Sequence, residues 1–401
     1  MTNKISEVHP ELRGMINRIP KFSVTSGNLW LWRFLMNLSG AAKVPDDVSI
    51  QDVLIPDKDK KSKIRLRVYR PKSAAGLVPG LVWLHGGGYV IGKPEMDDLT
   101  CIQFVRELGI VVVSVDYRYA PQYPFPIPLE DGYAALQWIR SRRREIEIDN
   151  RICIGGASAG AGLAAALAQL AYDRKELQLV GQLLVYPMLD DRTSTRDDLS
   201  DHEVTAWSRA SNRFGWESYL RSSSGAATPP EYAVPARRAD LSGLPPAWIG
   251  VGTIDLFHAE DVAYAQRLQA CGVECELLVI PGAFHGFDVI APQAKIVRDF
   301  QRAQIEALRK FLFFAKQKFA ASEMTPGKTY RIIKAFTNFD GGVHNVGERW
   351  KFLGQNFLPY EDGLTLSIEL DGKQRMFRMQ WRDEAQGEVI SNFSDYVEEI
   401  A

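Results

Sequence analysis

The chain reads as an α/β protein built on a mostly parallel sheet, followed by a smaller β-rich unit. Three observations predict this. Eight short apolar runs recur along residues 52–280, with helical stretches between the later ones. One run passes straight into a helix through a Gly- and Ala-rich turn at 156–160. After residue 322 the alternation of strand and helix stops and a hairpin pattern begins. Parallel strands need long crossovers, usually helical, whereas hairpins need only short turns.

Taken in order, residues 11–39 carry apolar side chains at helical spacing, notably Trp30, Trp32, Phe34, Leu35 and Leu38. Strands are expected at Asp52–Ile55, Ile64–Tyr69, Pro79–Leu84 and Ile110–Val115, then at Arg151–Ile154, Val180–Tyr186, Ala247–Val251 and Cys275–Ile280. The unbroken β-branched run Ile110-Val111-Val112-Val113 fits a strand covered on both faces. Residues 192–225 break the alternation with Trp207, Phe214, Trp216 and Tyr219 among polar residues. That is too much aromatic surface for a plain loop, and long insertions usually serve a site. A last amphipathic helix is expected over Gln301–Lys318, then a linker at Ser322–Gly327. Beyond it, strands are expected at Tyr330–Phe336, Leu364–Leu370 and Arg375–Trp381, the last two joined by the tight turn Asp371-Gly372, as in a small barrel. The aromatics Trp350, Phe352, Phe357, Tyr360 and Trp381 read as its core.

Composition excludes several classes. The 401 residues exceed one compact core, so two domains are expected. A net charge of −1 gives no basic face for a nucleic acid. No apolar run is long enough to span a bilayer, and the polar N-terminus has no signal-peptide core. The 4 cysteines read as reduced thiols of a cytoplasmic protein, without the spacing of a metal site.

The chemistry is carried by Gly156-Ala157-Ser158-Ala159-Gly160. Ordinary turns also contain G-x-S-x-G. Here a strand precedes it and a helix, 161–172, follows, which is the context of a nucleophile elbow. The helix N-terminus then faces any negative charge that forms beside the serine. Upstream, His85-Gly86-Gly87-Gly88 follows a strand, as an oxyanion loop does, and Gly87, Gly88 and Ala159 are the expected amide donors. The serine needs a base and the base an orienting acid. His285, in a loop after a strand, is the expected base; His202, His258 and His344 read as surface residues. Asp255, also after a strand, is the expected acid, with Asp261 and Asp288 as rivals. Asp261 should face away inside a helix, and Asp288 is too near His285 in sequence to reach its outer nitrogen easily.

These motifs, with Asp116-Tyr117-Arg118-Tyr119-Ala120-Pro121, Tyr186-Pro187 and His285-Gly286-Phe287, resemble the hormone-sensitive-lipase-like carboxylesterases of the α/β-hydrolase superfamily over roughly residues 1–320. The resemblance implies an eight-stranded sheet, a helical cap at about 1–45 and 192–225, and cofactor-free hydrolysis of short-chain carboxylic esters. Asp116 and Arg118 are then expected to form a structural ion pair behind the oxyanion loop. Departures from the family pattern at Ala157, Tyr119, Gln122 and Leu256-Phe257 bear on substrate preference and remove no catalytic group. Residues 347–350 and 358–364 resemble a small bacterial domain of unknown function. The expected division is therefore 1–321 for the hydrolase and 328–401 for the β-rich domain. An amidase or deacetylase with the same triad is the nearest alternative, and a small-molecule receptor on a hydrolase scaffold is another. The natural ester, a homodimer and a partner for the C-terminal domain stay open.

Overall fold

The computed structural model describes residues 5–18, 23–38, 40–74, 76–196, 206–222, 225, 228–314, 321, 324–358, 363–380, 386–391 and 393–400. His202, Tyr360, Trp381 and parts of both expected cap segments lie outside them. The chain divides into two units, Met1–Phe314 and Ala315–Ala401, so the division falls ahead of the expected linker at 322–327.

In the first unit, β1 (Val48–Pro56), β2 (Lys63–Pro71), β3 (Val78–Leu84), β4 (Val111–Asp116), β5 (Ile148–Ala157), β6 (Gly181–Val185), β7 (Ala247–Gly252) and β8 (Cys275–Ile280) form one sheet. Its order is β1-β2-β4-β3-β5-β6-β7-β8. β2 runs antiparallel to both neighbours; β3 to β8 are parallel. All eight expected strands form, with ends displaced by a few residues. β5 grows the most, from the expected Arg151–Ile154, because it pairs with neighbours on both sides.

Period-two burial explains the double cover. Val111, Val113 and Val115 of β4 pack with Leu84 into one core, against α3 (Ile127–Arg142) and α4 (Ala159–Arg174). Val112 and Trp83 point into the other, with α2 (Asp98–Leu108) and α8 (Lys295–Arg309). α4 is apolar all round and buried from Ala159 to Ala171, as a central helix must be. α8 begins six residues before the expected Gln301 and ends at Arg309, followed by a π-helical turn, Lys310–Phe314.

Two segments meet near the carboxyl ends of the strands. The first holds α1 (Leu29–Leu38), whose Arg33 donates to the carbonyls of Val90 (3.0 Å) and Ala120 (2.8 Å). The second holds α5 (Arg209–Leu220). They are joined through Ser23 and Ser208, Oγ to Oγ 2.7 Å, and by the Val24 amide donating to Ser211 Oγ at 2.8 Å. α1 spends its one charged side chain inward, which leaves Trp30, Phe34 and Leu38 exposed outside.

The second unit is an open five-stranded antiparallel sheet, not a barrel. Its order is β14-β13-β12-β9-β15, formed by β9 (Thr329–Ile332), β12 (Arg349–Leu358), β13 (Gly363–Leu370), β14 (Lys373–Gln380) and β15 (Val397–Ile400). The expected strand Tyr330–Phe336 divides into β9 and β10 (Phe336–Thr337), and β10 pairs with β11 (Val343–His344). The β13–β14 turn has Asp371 and Gly372 at φ 53° and 70°, which suits a tight hairpin. Trp350, Phe352, Leu366 and Phe377 are buried in its core. His344 belongs to that core as well, which corrects its reading as a surface residue. It packs against Phe336 and Phe377, and its Nδ1 is 3.1 Å from Glu348.

Candidate active site

Ser158 is the single residue between β5 and α4. Its φ and ψ of 56° and −123° are costly for a residue with a Cβ, of order 1–3 kcal/mol. The surroundings hold it there. Its amide donates to Val185 O at 2.9 Å, and its carbonyl accepts from Gly162 (3.0 Å) and Met188 (3.1 Å). A Cβ on Gly160 would lie 2.1 Å from Leu84 O, so only glycine lets α4 start this close to β3.

His285 follows β8 and Asp255 follows β7. The Ser158 Oγ is 2.9 Å from His285 Nε2, and His285 Nδ1 is 2.9 Å from Asp255 Oδ2. The other Asp255 oxygen accepts the Phe257 amide at 2.9 Å, which fixes the carboxylate plane. Phe257 and Tyr186 pack edge-on against the imidazole, at 5.1 and 4.7 Å between centroids. Ser158, Asp255 and His285 are 7%, 6% and 7% exposed, so bulk water hardly reaches them. Neither rival acid reaches Nδ1. Asp261 is buried in α6 (His258–Ala270), and Asp288 accepts a bond from Tyr186. His258 is half-buried at the start of α6.

The His85–Gly88 loop leaves β3 beside this row. Burial lowers the His85 pKa, so its ring is neutral. It stacks on Tyr117 at 4.3 Å, and the Tyr117 hydroxyl donates to His85 O at 2.8 Å. Gly87 and Gly88 sit at φ 126° and 60°, and their amides donate to no protein acceptor among the described residues. Ala159 opens α4, where no carbonyl one turn back is available to its amide. Three donors are thus left for a ligand oxygen. Gly86 packs beside the serine, where an added Cβ would lie 3.5 Å from Ser158 Cβ.

Asp116 and Arg118 do not pair as expected. Asp116 accepts from Arg65 at 2.9 Å, while Arg118 bonds Asp131 (2.6 Å) and Asp57 (3.2 Å). Each finds its partner on another element: Arg65 lies on β2 and Asp131 on α3. Together with Arg33 and Tyr119 they line a surface cleft that contains none of the three residues above.

One wall residue, Tyr89, was missed in the sequence. Tyr89 directly follows the glycines, stacks on Tyr219 at 4.3 Å and meets Trp216 at 5.2 Å, while Trp207 lies against Gly88. The aromatic after the glycine run was the available signal. The row of acid, imidazole and hydroxyl, with three free amides nearby, can generate an alkoxide and hold the oxyanion that it creates.

Residues 81–289 match the family described as the alpha/beta hydrolase fold, and residues 299–401 match a domain of unknown function, DUF3601. The carboxylic ester hydrolase LipN of Mycobacterium tuberculosis is 35% identical over 60% of this chain, which spans 64% of LipN's length. The carboxylesterase NlhH of the same species is 31% identical over 72% of this chain and 92% of its own. Among solved structures, a bacterial heroin esterase superposes with a TM-score of 0.70 at 34% identity, covering 77% of this chain and 99% of that one.

Proposed function

The chain belongs to the α/β-hydrolase family, and from that premise we propose that it is a serine carboxylesterase acting on short-chain carboxylic esters through an acyl-enzyme intermediate. The observation that carries the reading is the row Ser158 Oγ, His285 Nε2, His285 Nδ1, Asp255 Oδ2, with 2.9 Å at each of its two contacts. Ser158 attacks the ester carbonyl as Nε2 takes its proton. Asp255 holds the proton on Nδ1 and steadies the imidazolium without accepting that proton. The carbonyl oxygen, now an anion, is held by the amides of Gly87, Gly88 and Ala159. As the tetrahedral species collapses, His285 gives its proton to the leaving alcohol, and the acyl group stays on Ser158. Water then enters, His285 takes its proton, and the second collapse releases the carboxylic acid and restores the serine.

The enclosure of the serine is what supports the preference for short acyl chains: Ser158 is 7% exposed, beside a glycine loop packed against Trp207. Among the described residues no helix is long and apolar enough to cross a membrane.

A panel of p-nitrophenyl esters tests this. The purified protein is expected to turn over the acetate and butyrate, with kcat/KM falling as the chain lengthens. Ser158→Ala should remove about 10⁶ of kcat, as loss of a triad nucleophile does elsewhere. Wild-type turnover in Ser158→Ala would refute the reading.

A further inference from the structure

A second carboxylate is tied to the histidine. Asp288 stands three residues after His285, in the short helix α7 (Phe287–Ile290). Its Oδ1 accepts the Tyr186 hydroxyl at 2.8 Å. The Tyr186 ring packs against the His285 imidazole, 4.7 Å between centroids and 65° between planes. Tyr186 itself is 3% exposed at the end of β6, with its amide donating to Gly250 O at 2.7 Å. One rigid side chain therefore touches the imidazole and also grips the turn that carries it. The Tyr186 hydroxyl donates to the Asp288 carboxyl, an arrangement that suits the anion.

We propose that Asp288, held by Tyr186, is a second anionic partner of His285 that steadies the imidazolium alongside Asp255. It acts through His285 and carries no proton in the reaction, and it rests on the reading of Ser158 and His285 as the reacting pair. The groups facing His285 are Ser158, Asp255, Tyr186, Phe257 and Asp288. Those facing Asp288 are Tyr186, His285 and Asp97, the last from the turn Pro94–Asp97. Asp97 accepts the Trp83 indole N–H at 2.7 Å. Its carboxyl is pushed up to about 7, chiefly by burial, with Asp288 and Asp98 adding to the rise. Asp98 is engaged by Arg67 and Tyr69. Burial raises the Asp288 carboxyl above the usual carboxylate range, and the Tyr186 hydroxyl and the charge of His285 oppose that rise. Burial holds the Tyr186 hydroxyl well above its usual range, so it remains a donor.

The test is a ¹³C-histidine NMR titration of the full chain, with the His285 signal identified by its loss in His285→Gln, together with kcat and KM on p-nitrophenyl acetate. In Asp288→Asn, His285 should release its proton at a pH about half a unit to one unit below wild type. Its kcat should fall roughly tenfold, with KM within about twofold. Tyr186→Phe keeps the ring and should move both readings the same way by less; Asp288→Glu should recover most of each. An unchanged His285 titration in Asp288→Asn overturns the proposal. If Asp288→Asn does not fold, Tyr186→Phe decides it, and an unmoved titration there overturns it too. The titration needs no substrate, so a wild-type protein inert toward esters refutes the esterase reading while the titration still decides this one.

Discussion

Trp207 lies directly against Gly88 of the glycine loop: a Cβ on Gly88 would come within 2.0 Å of the indole edge. Gly88 also sits at φ 60°, where a side chain costs about 1–2 kcal/mol. The segment carrying Trp207 and the amides proposed to hold the oxyanion therefore pack together. Gly88→Ala is expected to displace Trp207 or tilt the Gly88 amide. Loss of one such donor costs roughly 10²–10³ in kcat in other enzymes. The measurement is kcat on p-nitrophenyl acetate, with circular dichroism to verify the fold. Wild-type turnover in a folded Gly88→Ala protein would remove Gly88 from the site.

Asp255→Asn should lower kcat by about 10⁴ with little change in fold, because an amide no longer selects the tautomer with its proton on Nδ1. Asparagine still offers an oxygen to the Phe257 amide, so local structure should hold. His258→Ala, on the rim of the same region, should keep most of the activity. Equal damage at His258 would transfer the role of base.

The raised Asp97 pKa has a thermal consequence. An unfolded aspartic acid titrates near ~3.9. The folded state holds its proton up to about 7. Between those values the folded chain binds more protons, so stability falls as pH rises through that window and stays lower above it. Asp97→Asn removes this loss and keeps an oxygen for the Trp83 indole. The variant's Tm should exceed wild type at pH 8, and the gap should close near pH 4. A gap that is the same at both would show that Asp97 does not titrate between them.

A chain ending at Phe314 should fold and hydrolyse small esters at near-wild-type rates. Each unit has its own core, and each catalytic group assigned above lies before residue 289. Turnover and thermal unfolding of the truncated and full-length chains give the comparison. A folded but inactive truncation would place part of the site in the second unit.

What the sequence determined by itself is local. The strand–turn–helix around Ser158, the glycine run after β3 and the Asp371-Gly372 hairpin are legible because steric demands within a few residues leave only small side chains. The central apolar runs, such as Val111-Val112-Val113 of β4, are legible because parallel strands covered on both faces need unbroken apolar stretches. Even the choice of His285 and Asp255 used only chain order and a position just after a strand. Partnership across the fold is another matter. Ser158 and His285 are 127 residues apart, and the 2.9 Å between them is a property of the assembled sheet. The same holds where the sequence misled. Arg118 has a carboxylate two residues away, yet it pairs with Asp57 and Asp131, because Arg65 takes Asp116 and the fold brings the other two acids within reach. His344 is buried because Phe336 of β10 and Phe377 of β14 pack against its ring, and Tyr186 meets Asp288 across 102 residues. Hydrogen bonds and ion pairs act over a few ångströms, so only the packed tertiary structure decides which distant groups come within their reach.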